Sequence, residues 1–200
     1  MTTGIASAPR GRQLSRAGSA AGIASPGRVE PVFVWGIDPG LSRCGYAVLD
    51  TGRAGGARLV ALGVFKTSPD LPVPRRLHAL QADVRELVAD HPPGAVAIER
   101  ILFSVNVRTA IGVAQAAGIV MVEAIAAGAE VTEYSPNEIK QAVTGDGAAD
   151  KTQIETMVQR LLQIDRPIRP VDAADAAAIA LCHVARAPML ARIAAAGGRR

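Results

Sequence analysis

From Val32 onward, apolar residues fall into short blocks whose spacing predicts the elements of a fold. Val32-Phe33-Val34-Trp35-Gly36-Ile37 has almost no polar residue, as expected of a strand buried on both faces. Residues 45–49 and 59–66 are two further β-type runs, and the short, Gly-containing linkers allow the three to pair as a meander. Pro72 and Pro74 open a helix predicted over 75–90, where Leu77, Leu80, Val84, Leu87 and Val88 recur at helical spacing on one face. Pro92-Pro93-Gly94 stops it. A fourth strand is predicted over 95–99 and a fifth over 130–134.

Between those two strands lies a long helix, 106–127, with two apolar sides. The first carries Val107, Ala110, Ile111, Ala114, Gly118, Met121, Val122 and Ile125; the second carries Val113, Ala116, Val120 and Ala124. A helix that is apolar nearly all round is covered on two sides. One side packs on the sheet, and the second is assigned to a partner subunit, with another helix of the same chain as the alternative. Ser135, Pro136 and Glu138 spell a capping box with proline at the first helical position, so a short helix runs to about residue 143. Asp150 caps the next helix, to about 162, and Asp172 begins a last one, to about 184. The order β-β-β-α-β-α-β-α-α-α indicates an α/β domain: a five-stranded mixed sheet with helices on both faces.

Composition changes the picture mainly at the ends. Residues 1–30 hold four arginines, one glutamate and much Gly, Ala and Ser without apolar periodicity. Residues 186–200 hold four arginines and no acid. The formal net charge of +4, less +3 and +4 at these ends, leaves −3 for residues 31–185. The basic character therefore belongs to the termini, where it suits salt-sensitive contact with nucleic acid or simple solvation. The chain divides into a disordered basic extension (1–31), one domain (32–187) and a flexible basic tail (188–200). The extension shares its composition with transit peptides but lacks the apolar core of a secretory signal. No apolar run approaches the roughly 20 residues of a membrane helix, so no membrane partner is expected. Cys44 and Cys182 stand in no C-x-x-C spacing and in apolar surroundings, which points to a reducing, cytoplasmic setting rather than a disulfide or zinc site.

Candidate chemistry rests on four acids. Asp38 ends the first strand in Gly36-Ile37-Asp38-Pro39-Gly40, and Glu99 ends the fourth in Val96-Ala97-Ile98-Glu99. Asp172 and Asp175 open the last helix, three residues apart and so on one face. Each alone has a plain structural reading: Asp172 as a helix cap, Asp38 as a turn residue. Together, beside apolar segments and with few bases nearby in sequence, they suit a hard cation with oxygen ligands, Mg²⁺ or Mn²⁺. In the turn after Asp38, Gly40 permits a tight bend and Gly45 a close backbone approach. Asp-x-Gly at a strand end also resembles the phosphate loop of actin-like ATPases, so this motif alone leaves both readings open.

Three motifs taken jointly are more specific. Gly36-Ile-Asp-Pro-Gly40, Ala97-Ile-Glu99-Arg100 and Asp172-Ala-Ala-Asp175-Ala176 resemble, in order and spacing, the RuvC-type Holliday-junction resolvases, RNase H-like nucleases, over about residues 32–185. Asn106 and Gln115-Ala-Ala-Gly118 fit the family's long helix. The resemblance implies a homodimeric, Mg²⁺-dependent endonuclease that nicks a four-way DNA junction symmetrically, leaving 5′-phosphate and 3′-hydroxyl ends. It carries the metal-binding, catalytic acids onto Asp38, Glu99, Asp172 and Asp175, with two Mg²⁺ ions per site (Mn²⁺ substituting) and Asp38 between them. It carries basic phosphate-binding residues onto Lys140 and Lys151. It places a base-wedging residue at Leu102 or Phe103, where this sequence departs from the aromatic position of the family. A branch-migration motor of the RuvA–RuvB type is the implied partner. The alternatives are a YqgF-type RNA nuclease, which the Asp-x-x-Asp helix and the length disfavour, an actin-like ATPase, for which one domain is too few, and a non-catalytic scaffold, which four intact acids disfavour.

Overall fold

The computed structural model of the chain describes residues 32–52, 56–101 and 107–197. Its elements follow the predicted order: β1 (Phe33–Asp38), β2 (Arg43–Asp50), β3 (Arg58–Lys66), α1 (Val73–Asp90), β4 (Pro93–Glu99), α2 (Val107–Ala126), β5 (Glu130–Tyr134), α3 (Pro136–Thr144), α4 (Lys151–Leu161) and α5 (Val171–Gly197). The five strands form one sheet in the order β3-β2-β1-β4-β5. The β1–β2 and β2–β3 pairs are antiparallel, and β1–β4 and β4–β5 are parallel. The meander is thus one half of the sheet and the strand–helix–strand units are the other, the RNase H-like arrangement expected.

Strand alternation sorts the core into two layers. Trp35, Ile37, Cys44, Val48, Val96 and Ile98 point to the face covered by α1 and α2, where they meet Leu80, Val84, Ala116 and Val120. Ala47, Leu49 and Ala97 point to the other face, covered by the alanine-rich start of α5 and backed by Ile139 of α3 and Val158 of α4. Fully burying one of the larger apolar side chains stabilises by about 1.5–3 kcal/mol, so both layers matter to the fold.

Two glycines set how closely α5 lies on the sheet. A Cβ on Gly36 would fall 2.0 Å from the Ala176 carbonyl oxygen, and one on Gly45 would fall 2.1 Å from that of Asp172. Only glycine permits such an approach, and it brings the first turn of α5 onto the ends of β1 and β2. The tight turn read at Gly40 is present too, with a Cβ there 2.2 Å from the Arg43 carbonyl oxygen.

Two expectations change. The last helix does not end near 184 but runs to Gly197 with Pro188 inside it. Proline deletes one hydrogen bond, to the carbonyl four residues back, and here does not end the helix. On α2 the assignment of sides is reversed. Ala116, Val120 and Ala124 are buried within this chain, whereas Ile111, Val122 and Ile125 stand 53%, 64% and 62% exposed. The buried set meets α1, the helix of the same chain that the sequence reading held as the alternative to a partner subunit. Glu123, also on α2, is likewise buried, and accepts hydrogen bonds from Gln81 (2.5 Å) and Arg85 (2.9 Å) of α1.

Candidate active site

Asp38 and Glu99 sit at the C-terminal ends of β1 and β4, adjacent parallel strands. Strand parity puts both on the α5 face, since Ile37 and Ile98 belong to the opposite layer. Asp172 and Asp175 come down on them from the first turn of α5, held there by the Gly36 and Gly45 approaches. The four predicted acids are therefore brought to one end of the sheet, each partly buried.

Their electrostatics record that proximity. Burial, and then the charges of Asp175, Glu99 and Asp172, push the Asp38 carboxyl from its ordinary 3.8 up to about 7; Lys151 opposes them. Glu99 is pushed up by burial and by Asp175. Two cations answer this charge. Lys151 Nζ donates to Asp175 Oδ2 at 2.9 Å, and that bond holds the ammonium above its usual range. Arg43 donates to Asp172 Oδ2 from Nε (3.0 Å) and Nη2 (2.5 Å), which holds the Asp172 carboxyl below its usual range.

Among the described residues, no three His, Cys, Asp or Glu side chains form a ready-made ligand group for an ion. Asp172 and Asp175 are instead turned toward Arg43 and Lys151. The chemistry of the donors nevertheless fits a hard divalent cation: carboxylate oxygens alone, two of them hard to ionise without added positive charge. The two cysteines are elsewhere in the chemistry. Both are buried free thiols, with burial pushing Cys44 up to about 12 and Cys182 up to about 11, which makes them poor nucleophiles and poor ligands.

Of the two predicted lysines, Lys151 reaches the acids, at the N-terminus of α4 behind the Asp150 capping box. Lys140 lies half-buried on α3, and no ion pair among the described residues joins it to the four acids. Leu102, Phe103 and Asn106 lie outside the described residues. Arg43 is the site residue that sequence reasoning missed. A signal was available: it stands two positions before Gly45, hence on the same strand face.

Comparison with known proteins supplies the family. The family model described as crossover junction endodeoxyribonuclease RuvC matches residues 34–183, which include all four acids. The chain belongs to the RuvC family. It is thereby a metal-dependent endodeoxyribonuclease, a hydrolase, and the resolvase resemblance holds over the YqgF-type and actin-like readings. It is 48% identical over 166 residues to the crossover junction endodeoxyribonuclease RuvC of Salinispora arenicola, covering 83% of this chain and 95% of the relative. It is 47% identical over 163 residues to that of Mycobacterium avium, covering 80% and 86%. Among solved structures, Thermus thermophilus RuvC matches at 39% identity with a TM-score of 0.73, covering 79% of this chain and 96% of that one. The same protein in complex with Holliday junction substrate matches with a TM-score of 0.75 at the same identity and coverage. No helix among the described residues is long and apolar enough to cross a membrane.

Proposed function

We propose that this chain resolves four-way DNA junctions by paired, symmetric nicks, acting as a homodimer with one active site per subunit. The observation that carries the reading is the convergence of Asp38, Glu99, Asp172 and Asp175 at one sheet end in a member of the RuvC family. A relative 39% identical was solved with a Holliday junction substrate. The four acids would hold two Mg²⁺ ions, with Mn²⁺ able to substitute. When bound, the ions supply electrostatic stabilisation for hydrolysis of a phosphodiester, leaving 5′-phosphate and 3′-hydroxyl ends. Lys151, which lies beside the acids at Asp175, would hold a substrate phosphate, and Lys140 would contribute a second phosphate contact. Leu102 or Phe103 supplies the wedge among the bases at the junction.

The dimer reading uses the outward side of α2. Ile111, Val122 and Ile125 are exposed apolar side chains on the outward side of α2, the kind of surface that association buries. The basic segments at residues 1–31 and 188–200 flank the nuclease domain and add non-specific DNA affinity. A branch-migration motor of the RuvA–RuvB type is the expected partner, and the cytoplasm the expected compartment. The deciding experiment is incubation of a strand-labelled four-way junction with the purified protein. Symmetric nicks that appear with Mg²⁺ and vanish with a chelator are expected; cleavage indifferent to Mg²⁺, or absent from junctions and present on RNA, would refute the proposal.

A further inference from the structure

Parity along the sheet places two cations beside the acid cluster. Residues 43, 45, 47 and 49 of β2 share one face, and Ala47 and Leu49 assign it to the α5 side. Lys66 is the register partner of Arg43 across the antiparallel β2–β3 pair, so its side chain rises on the same face. The ends of the strands, read across the sheet, therefore run Lys66 on β3, Arg43 on β2, Asp38 on β1 and Glu99 on β4. Asp38 pairs with Gly45 across β1–β2, so the Arg43–Lys66 pair stands one same-face step beyond the level of Asp38, and two positive charges flank two negative ones.

A directly paired cross-strand position brings side chains within about 4.5–5.5 Å at Cβ, and like charges there repel. Asp172 takes up part of the Arg43 charge. No ion pair among the described residues holds Lys66, which is exposed. The nearby acid Asp70 is turned to the Ser68 hydroxyl instead. The backbone beside the pair is tied together. On the other side of the sheet, Arg76 of α1 donates from Nε to Thr67 Oγ1 (2.9 Å) and from Nη2 to Ser42 Oγ (2.5 Å). The Thr67 amide donates to the Ser42 carbonyl at 3.2 Å, and the Thr67 hydroxyl to the Leu41 carbonyl. Ser42 and Thr67 are the chain neighbours of Arg43 and Lys66, so the ends of β2 and β3 that carry the two cations are joined side by side, with Arg76 on the opposite face.

We propose that Arg43 and Lys66 form a phosphate subsite beside the acid cluster. It takes a backbone phosphate of the DNA strand adjacent to the one being cut. Lys66 stands two strand spacings, about 10 Å, from the strand of Asp38 and two residues further along in register, which is too far to share the phosphate at the acids and near enough for a neighbouring one. The proposal rests on the nuclease reading above and adds a site to it.

The test uses Lys66, which touches none of the four acids. Binding of a fluorescent four-way junction, and of a duplex of the same length, is measured by anisotropy in a chelator across a salt series. Lys66→Gln should bind junction about three- to tenfold more weakly than wild type, and the slope of log affinity against log salt should become shallower by about one. Lys66→Arg should restore both, and Lys66→Glu should weaken binding further. Arg160→Gln, a charge change in the last turn of α4, at the end of that helix away from Lys151, should leave affinity and slope alone. Equal affinity and slope for Lys66→Gln and wild type would overturn the subsite. A wild type that prefers duplex to junction would instead overturn the resolvase reading, and the Lys66 comparison on duplex would still decide the subsite.

Discussion

At Asp38 the fold holds a carboxyl group where burial and three like charges all oppose ionisation, with Asp175, Glu99 and Asp172 as the neighbours. Because its folded value of about 7 lies above the ordinary 3.8, the folded protein binds more protons than the unfolded chain between those values. Stability in the absence of divalent ions should therefore fall as pH rises from 3.8 to about 7 and stay low above it. Asp38→Asn removes this destabilisation. In thermal melts with a chelator at pH 8, the variant should exceed wild type by on the order of 1 kcal/mol or more, a few degrees in Tm, with the gap closing toward pH 4. An equal or lower Tm at pH 8 would contradict the assigned electrostatics. The same substitution should cut junction cleavage by at least about a hundredfold, as should Glu99→Gln, Asp172→Asn and Asp175→Asn, because each removes charge from the proposed cation site. Gel assays showing full activity in any one of them would remove that residue from the site.

The element that decides most is the pairing of α2 with α1 and of α5 with the sheet. On α2, two valines one half-turn apart separate the roles of its sides. Val120 is fully buried under α1, while Val122 is 64% exposed. Val120→Glu should destabilise the monomer fold by about 3 kcal/mol or more, because it buries an unpaired charge. Val122→Glu should leave the Tm near wild type and give a monomer with little junction cleavage, because it puts like charges opposite one another in the proposed interface. Sedimentation velocity at micromolar concentration separates the two outcomes, and a dimeric, active Val122→Glu would move the interface elsewhere. On α5, small residues do the positioning. Gly36 and Gly45 on the sheet and Ala176 and Ala180 on the helix leave no side-chain bulk between them, so the Asp172 and Asp175 carboxylates arrive at the level of Asp38.

For the whole molecule, charge and chemistry are segregated. The four acids and the two core layers lie within residues 34–183, the span matched by the family model. The excess positive charge lies mainly in the two ends. A chain starting at Val32 should therefore fold and cut junctions at near-normal rates, while losing affinity for plain duplex at low salt only, where released counterions contribute most. An unfolded or inactive truncated protein would place the extension inside the domain.

Much of this was legible in the sequence because its signals are local. Two-residue alternation, prolines at helix starts, the capping box at Ser135 and the cap at Asp150 act within a few residues, and the five strands and five helices appear in the order those signals predict. The four acids were legible as well, since a strand end and a helix start are local features that the three motifs mark. What only the tertiary structure decided depends on which surfaces meet. Both sides of α2 are apolar, so periodicity could not tell that Val120 faces α1 and Val122 faces out. The helix beyond residue 184 carries a proline and no strong apolar pattern, so its continuation to Gly197 left no periodic signal. Arg43 meets Asp172 across 129 positions of chain, and Lys66 stands beside Arg43 only because β2 and β3 pair in one register. Local sequence codes the elements because backbone preferences and capping are short-range forces; the ion pairs and packed faces of the site arise between residues that only the fold makes neighbours.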